Sequence, residues 1–107
     1  MMHALFVCGR NRLRSPTAEA IFSSLDGIEV ASAGVSDDAD TPVDAEILEW
    51  ADIVFVMEKA HREKLNSRFR TALRNKRIVC LDIPDKFAFM DPQLVRLLRA
   101  KAGPLLR

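Results

Sequence analysis

Two rhythms of apolar positions run along this chain. Short continuous apolar runs at Ala4-Leu5-Phe6-Val7, Ile53-Val54-Phe55-Val56-Met57 and Ile78-Val79-Cys80-Leu81, with residues 28–31, predict four strands. The run from Ile53 through Met57 is the most apolar stretch in the chain and predicts a central strand buried on both faces. Between these runs the spacing changes to that of a helix. Ala18, Ile21, Phe22 and Leu25 share one face, Val43, Ile47 and Trp50 share another, and residues 58–65 predict a helix with a basic outer side. Leu94, Val95, Leu97 and Leu98 give the last helix its apolar positions. Pro16 suits a first helical position and Asp26-Gly27 a helix end, while Asp91-Pro92 opens the last helix and Gly103-Pro104 stops it. Strands alternating with helices predict an α/β fold: a four-stranded parallel sheet with helices on both faces. Ligands of such sheets sit beyond the carboxyl ends of the strands, so chemistry is expected in the loop after the first strand.

A length of 107 residues, about half of them apolar, fits one small domain over residues 1–107, and no repeat or linker divides it. The opening apolar stretch is too short for a signal peptide and no later one is long enough to span a bilayer. The expectation is a cytoplasmic protein without a membrane partner. Net charge is only +1, but acids crowd residues 37–49 and bases crowd residues 59–77. Residues 37–41 predict a surface loop, and the basic stretch predicts a solvated face that could also attract an anion. Cys8 and Cys80 are the only cysteines, without the spacing of a metal site or a redox pair. Neither a disulfide nor a metal is expected, and Cys80, inside an apolar run, is expected to pack in the core. His3 and His61 have no ligand partner at useful spacing.

The run Cys8-Gly9-Arg10-Asn11-Arg12-Leu13-Arg14-Ser15 joins the first strand to the first helix. A cysteine, five residues, an arginine and a serine have the spacing of a phosphate cradle. Successive backbone N–H groups can turn inward on a tetrahedral dianion, and the helix N-terminus adds partial positive charge. Arg14 can grip two phosphate oxygens with a planar fork, which lysine cannot. The same surroundings favour thiolate over thiol and make Cys8 a candidate nucleophile near neutral pH. Ser15 can donate its hydroxyl to that sulfur, and it can also serve as a plain helix cap.

These residues resemble a known family. Leu-Phe-Val-Cys-x5-Arg-Ser-Pro-x-Ala-Glu, from Leu5 through Glu19, is similar to the signature of the low-molecular-weight protein tyrosine phosphatases. Ser32-Ala33-Gly34 is similar to their second motif, Ala51-Asp52-Ile53-Val54-Phe55-Val56-Met57 to their central strand, and Ile83-Pro84-Asp85 falls where members carry a general-acid aspartate. The resemblance covers nearly the whole chain and looks nearest to a shortened bacterial branch of predicted tyrosine phosphatases. It implies a cysteine-dependent hydrolase of phosphomonoesters with a phosphocysteine intermediate, without metal or cofactor, acting on a phosphorylated substrate such as a phosphotyrosine protein. It also implies that Asn11 holds the unusual backbone of the loop, with Ser32 in support.

Asp82, Asp85 and Asp91 all follow the fourth strand. Asp91 precedes Pro92 and suits an N-cap, and Asp82 suits a turn with Ile83-Pro84. Asp85 is the chosen acid, with Phe87 and Phe89 expected to line its pocket and raise its pKa, and Asp91 is the reserve. The chain departs from the family in several places. Leu13 stands where many members have a second cysteine, Arg10 replaces a usual glycine, Lys86 replaces a proline, and the segment after Gly34 is short. Trp50 is expected to be a packing residue rather than a wall for an aromatic substrate. Other readings stay open. The same chemistry could act on a nucleotide or RNA phosphate end, the loop could belong to a non-catalytic phosphate-binding module, and an arsenate reductase would need further cysteines.

Overall fold

A computed structural model describes residues 1–106. Its strands are β1 (Met2–Cys8), β2 (Ile28–Gly34), β3 (Ile53–Val56) and β4 (Arg77–Cys80), and its helices are α1 (Arg14–Phe22), α2 (Ala45–Trp50), α3 (Lys59–Arg68) and α4 (Pro92–Lys101). A 3-10 turn, Gly103–Leu106, closes the described chain. The strands form one parallel sheet, as the alternation of elements predicted, and their order is β2-β1-β3-β4. β1 and β3 are therefore central. The register pairs Cys8 with Gly34 on one side and Val7 with Val56 on the other.

The strand period of two sorts the apolar residues into two cores. Ala4, Phe6 and Cys8 of β1, with Ile53, Phe55 and Met57, pack under Ala18, Ile21 and Phe22 of α1 and Leu94 and Leu98 of α4. Leu5, Val7, Val54 and Val56 face the other way, onto Leu48 of α2, Leu65 of α3 and Leu73. Helices thus cover both faces, and Phe6 stacks between Phe22 and Phe55 with ring centroids 5.5 and 4.7 Å away. No helix among the described residues is long and apolar enough to cross a membrane.

Several local expectations shift. α1 starts at Arg14, so Pro16 is its third residue; it is tolerated there because the first-turn N–H groups have no intrahelical acceptor. The helix ends at Phe22, and Gly27 instead serves the turn into β2 with φ of 79°. Val43 precedes α2, whose fully buried residue is Leu48, and Asp44 caps the helix by accepting from the Ile47 N–H at 2.8 Å. Gly103 and Pro104 do end α4, by starting the 3-10 turn. Trp50 packs beside the second core and stacks on His3 at 4.6 Å. Cys80 is only half-buried, because β4 is an edge strand, and its Sγ lies 3.5 Å from Asp82 Oδ1.

Asp91 is the N-cap of α4, accepting from the Gln93 N–H at 2.8 Å, with Pro92 at the first helical position. The Asp91→Ala variant is expected to lose about 1 kcal/mol of stability in urea unfolding. Its catalytic rate should stay near wild type, since the carboxylate is engaged with the helix it starts.

Candidate active site

The carboxyl ends of β1, β2, β3 and β4 meet in one cleft of about 550 Å³, whose walls include Cys8, Arg14, Glu58, His61, Lys64 and Asp85. It sits where the chain turns from β1 to β2 on one side and to β3 on the other, the switch point at which parallel sheets bind ligands.

The loop after β1 is polarised by its hydrogen bonds. The carbonyls of its first three residues are occupied: Cys8 O accepts from Val35 N–H at 3.0 Å, Gly9 O from Ser36 N–H at 2.9 Å and Arg10 O from Asp40 N–H at 3.1 Å. Its N–H groups, from Gly9 through Leu13, donate to no acceptor among the described residues. A loop with its first carbonyls tied back and its donors free is a nest for an anion. Asn11 holds the bend with φ of 58°, a region that asparagine enters more readily than most residues. Arg10 replaces the family's glycine without strain, because its own φ is not positive. The glycine that the site requires is Gly34: a methyl there would lie 2.6 Å from both Gly9 O and Ala39 Cβ.

Cys8 Sγ lies 3.0 Å from the fully buried Ser15 Oγ, which is also 3.0 Å from Asn11 Oδ1 and 3.3 Å from Ala33 O. One hydroxyl proton faces three acceptors, so Ser15 can turn it to the sulfur when the thiol ionises and back to oxygen when it does not. Ser32 is not part of this network. Its hydroxyl points to Glu19 Oε1 at 2.5 Å, because its place in β2 sends it toward α1, and the support from that motif comes from the Ala33 carbonyl instead.

Arg14 is 3% exposed. Its Nη1 donates to Glu58 Oε2 at 2.6 Å and to Ile83 O at 2.7 Å, leaving the Nε and Nη2 edge for an anion. Asp85 Oδ1 stands 3.7 Å from that Nε. Of the three aspartates after β4, only Asp85 lines the cleft. Phe87 and Phe89 do not enclose it. Phe87 is buried in the α4 core, Phe89 is exposed to solvent, and the Asp85 side chain is 64% exposed.

Glu58, His61 and Lys64 were missed as site residues because residues 58–65 read as a basic surface helix. Their place directly after the central strand, at the carboxyl edge of the sheet, was the available signal. His61 is buried, and its Nδ1 accepts from the Glu58 N–H at 3.2 Å, so neutral imidazole carries its proton on Nε2, 3.8 Å from Glu58 Oε2. Burial first, then the Arg14 charge, push its pKa below the ordinary 6.5, against opposing pulls from Glu58 and Asp85. At the rim, Arg10 pairs with Asp38 at 3.8 Å and Arg12 with Asp40 at 3.3 Å. The Ser36 hydroxyl, then Arg10, hold the Asp38 carboxyl below the usual carboxylate value.

Residues 3–50 match the family described as low molecular weight phosphotyrosine protein phosphatase. The matched region holds the whole loop and the motif at Gly34. Over this region the chain is similar to that family. No curated protein sequence matches it. Among solved structures, a mutant of YwlE from Bacillus subtilis is 26% identical with a TM-score of 0.78, each chain covering 100% of the other. The YwlE arginine phosphatase from Geobacillus stearothermophilus is 25% identical with a TM-score of 0.78, over 99% of this chain and 94% of its own. The tyrosine phosphatase Wzb from Escherichia coli K30, in complex with phosphate, shares the fold with a TM-score of 0.79 at 20% identity, over 98% of this chain and 96% of its own. Like the family, this phosphatase is a cysteine-based enzyme and its substrates are phosphorylated compounds.

Two outcomes test the site. Gly34→Ala should cost about 1–3 kcal/mol in urea unfolding, since backbone of the phosphate loop must move to admit the methyl. For His61, the folded pKa lies below the unfolded one, so the unfolded chain binds the extra proton between the two values. Stability is then full above the unfolded value and declines as pH falls through it toward the folded value. Unfolding free energy should drop as pH is lowered from about 7 to about 5, with a shallower drop in His61→Gln.

Proposed function

We propose that this phosphatase hydrolyses phosphomonoesters through Cys8, with Arg14 and the N–H groups of Gly9, Arg10, Asn11, Arg12 and Leu13 binding the phosphate, Ser15 steadying the sulfur and Asp85 as general acid. One observation carries the reading: Cys8 Sγ, 3.0 Å from the Ser15 hydroxyl, opens into a cleft that Arg14 and Asp85 share.

In the first step the thiolate attacks phosphorus, the bond to the leaving oxygen breaks, and that oxygen takes the proton of Asp85. The Arg14 edge and the loop amides meet the charge on the equatorial oxygens. In the second step the Asp85 carboxylate removes a proton from water, the water oxygen bonds to phosphorus, and the electron pair of the S–P bond returns to Cys8. The Ser15 hydroxyl then donates to the restored thiolate, which makes sulfur a better leaving group. A cysteine-to-serine mutant of the similar YwlE arginine phosphatase carries a phosphorylated active-site serine, the counterpart of the first intermediate. An arsenate-reductase reading has less to stand on: Cys80 lies on the edge strand β4, with β3 between it and β1, and its sulfur is turned to Asp82.

Cys8→Ser should abolish turnover of an aryl phosphate without metal at mildly acidic pH. Asp85→Asn should slow phenyl phosphate by about a hundredfold and p-nitrophenyl phosphate much less, because the better leaving group does not need the proton. Equal losses on both substrates would remove Asp85 from the acid's place.

A further inference from the structure

The cleft has a cationic rim and no aromatic wall. No Phe or Trp is among its lining residues, and the sequence has no Tyr. Phe6, Phe22, Phe55 and Phe87 are committed to the core, and Trp50 stacks on His3. An aryl phosphate would therefore find no Phe or Trp ring among the cleft's lining to stack on. Around the phosphate loop stand Arg10, Arg12 and Lys64. The first two are held only by exposed carboxylates, Asp38 and Asp40, pairs that solvent weakens and an incoming anion can replace.

Three of the basic residues near Lys64 are tied to the fold. Arg62 is bonded to Ile78 O, Arg68 to Val35 O and Asp37, and Lys76 to Glu49 O and Ala51 O. Lys64 makes no hydrogen bond or ion pair among the described residues, and of the basic residues from Lys59 through Arg77 it alone lines the cleft. The cleft's carboxylates do not offset it, since Glu58 is engaged with Arg14 and Asp85 stands by the Arg14 Nε.

Resting on the reading of the loop as a phosphate site, we propose that this cleft selects a compact phosphomonoester bearing a second anionic group close to its phosphate, held by Lys64 and Arg12. An anionic group in a cleft lined by both cations can make charge-assisted bonds that a neutral ring cannot make. A cationic side group beside the phosphate, as in phosphoarginine, meets like charge at the same place.

Matched phosphonates test this by calorimetry on the whole chain: phosphonopropionate against propylphosphonate, and phosphonobutyrate against butylphosphonate, at low salt. At least one carboxylate is expected to bind about tenfold tighter than its alkyl counterpart. Lys64→Glu should bring that ratio to one or below. Arg74→Glu, exposed and outside the cleft, should leave it in place. Ratios near one in the wild type, a ratio indifferent to Lys64→Glu, or tighter binding of benzylphosphonate or phosphoarginine than of either carboxylate would overturn the proposal. If inorganic phosphate itself fails to inhibit aryl phosphate hydrolysis, the phosphate site falls, and the proposal with it.

Discussion

A guanidinium keeps its charge at any physiological pH, so a chain that buries one must build partners around it. Arg14 imposes that demand on this fold. Its partners are Glu58, directly after β3 and its following Met57, and the carbonyl of Ile83, three residues after β4. One side chain at the start of α1 thus ties together the outgoing ends of three strands. The pair does more than neutralise charge. By engaging both hydrogens of Nη1 it fixes the plane of the guanidinium, and so decides which edge is left to face the loop. Loss of either partner would strand a buried cation whose cost falls on the same structure that must hold phosphate.

Glu58 is drawn into position from its other side as well. Its own N–H is bound by His61, three residues on, at the start of α3. The imidazole can accept that bond only while Nδ1 is unprotonated, which is the state that burial and the Arg14 charge both favour. The orientation of Arg14 and the ionisation of His61 are therefore linked through one carboxylate residue. On the far wall of the loop, the segment after β2 supplies the N–H groups that tie back three loop carbonyls, and this requires backbone to approach backbone at Gly34. The nucleophile's surroundings are thus built by contacts from β2 and β3, distant in sequence from the loop itself.

This division explains what the sequence disclosed. The four strands, two-sided burial and the loop at residues 8–15 follow from local patterns: apolar runs of strand length, proline and glycine at element ends, and a short cysteine-to-arginine spacing. Asn11 was named through the resemblance, and its left-handed bend is a local matter. Glu58 and His61 were not, since their roles come from a contact 44 residues from Arg14, and the charge pattern around them resembled an ordinary solvated helix. Ser32 was assigned from its neighbourhood to the motif. The alternation of β2 sends its hydroxyl to Glu19 and leaves the adjacent carbonyl to do the work. Phe87 misled for a similar reason, because α4 offers a core for it nearer than the cleft.

The two charge runs of the sequence also change meaning once folded. Read in order, residues 37–41 are an acidic surface loop and residues 59–77 a basic face. In space the acids are counter-ions for arginines drawn from both the phosphate loop and α3: Asp37 for Arg68, Asp38 for Arg10, Asp40 for Arg12. The same segment that binds the loop's carbonyls through its backbone thus balances the loop's extra arginines through its side chains. This lets the loop carry more positive charge than the phosphate alone requires without that charge repelling itself in the free enzyme. Because each pair is exposed, the balance can be exchanged for a ligand's charge. The surplus at Arg10 and Arg12 is in effect stored beside the site, and Lys64, which also lines the cleft, has no such counter-ion among the described residues.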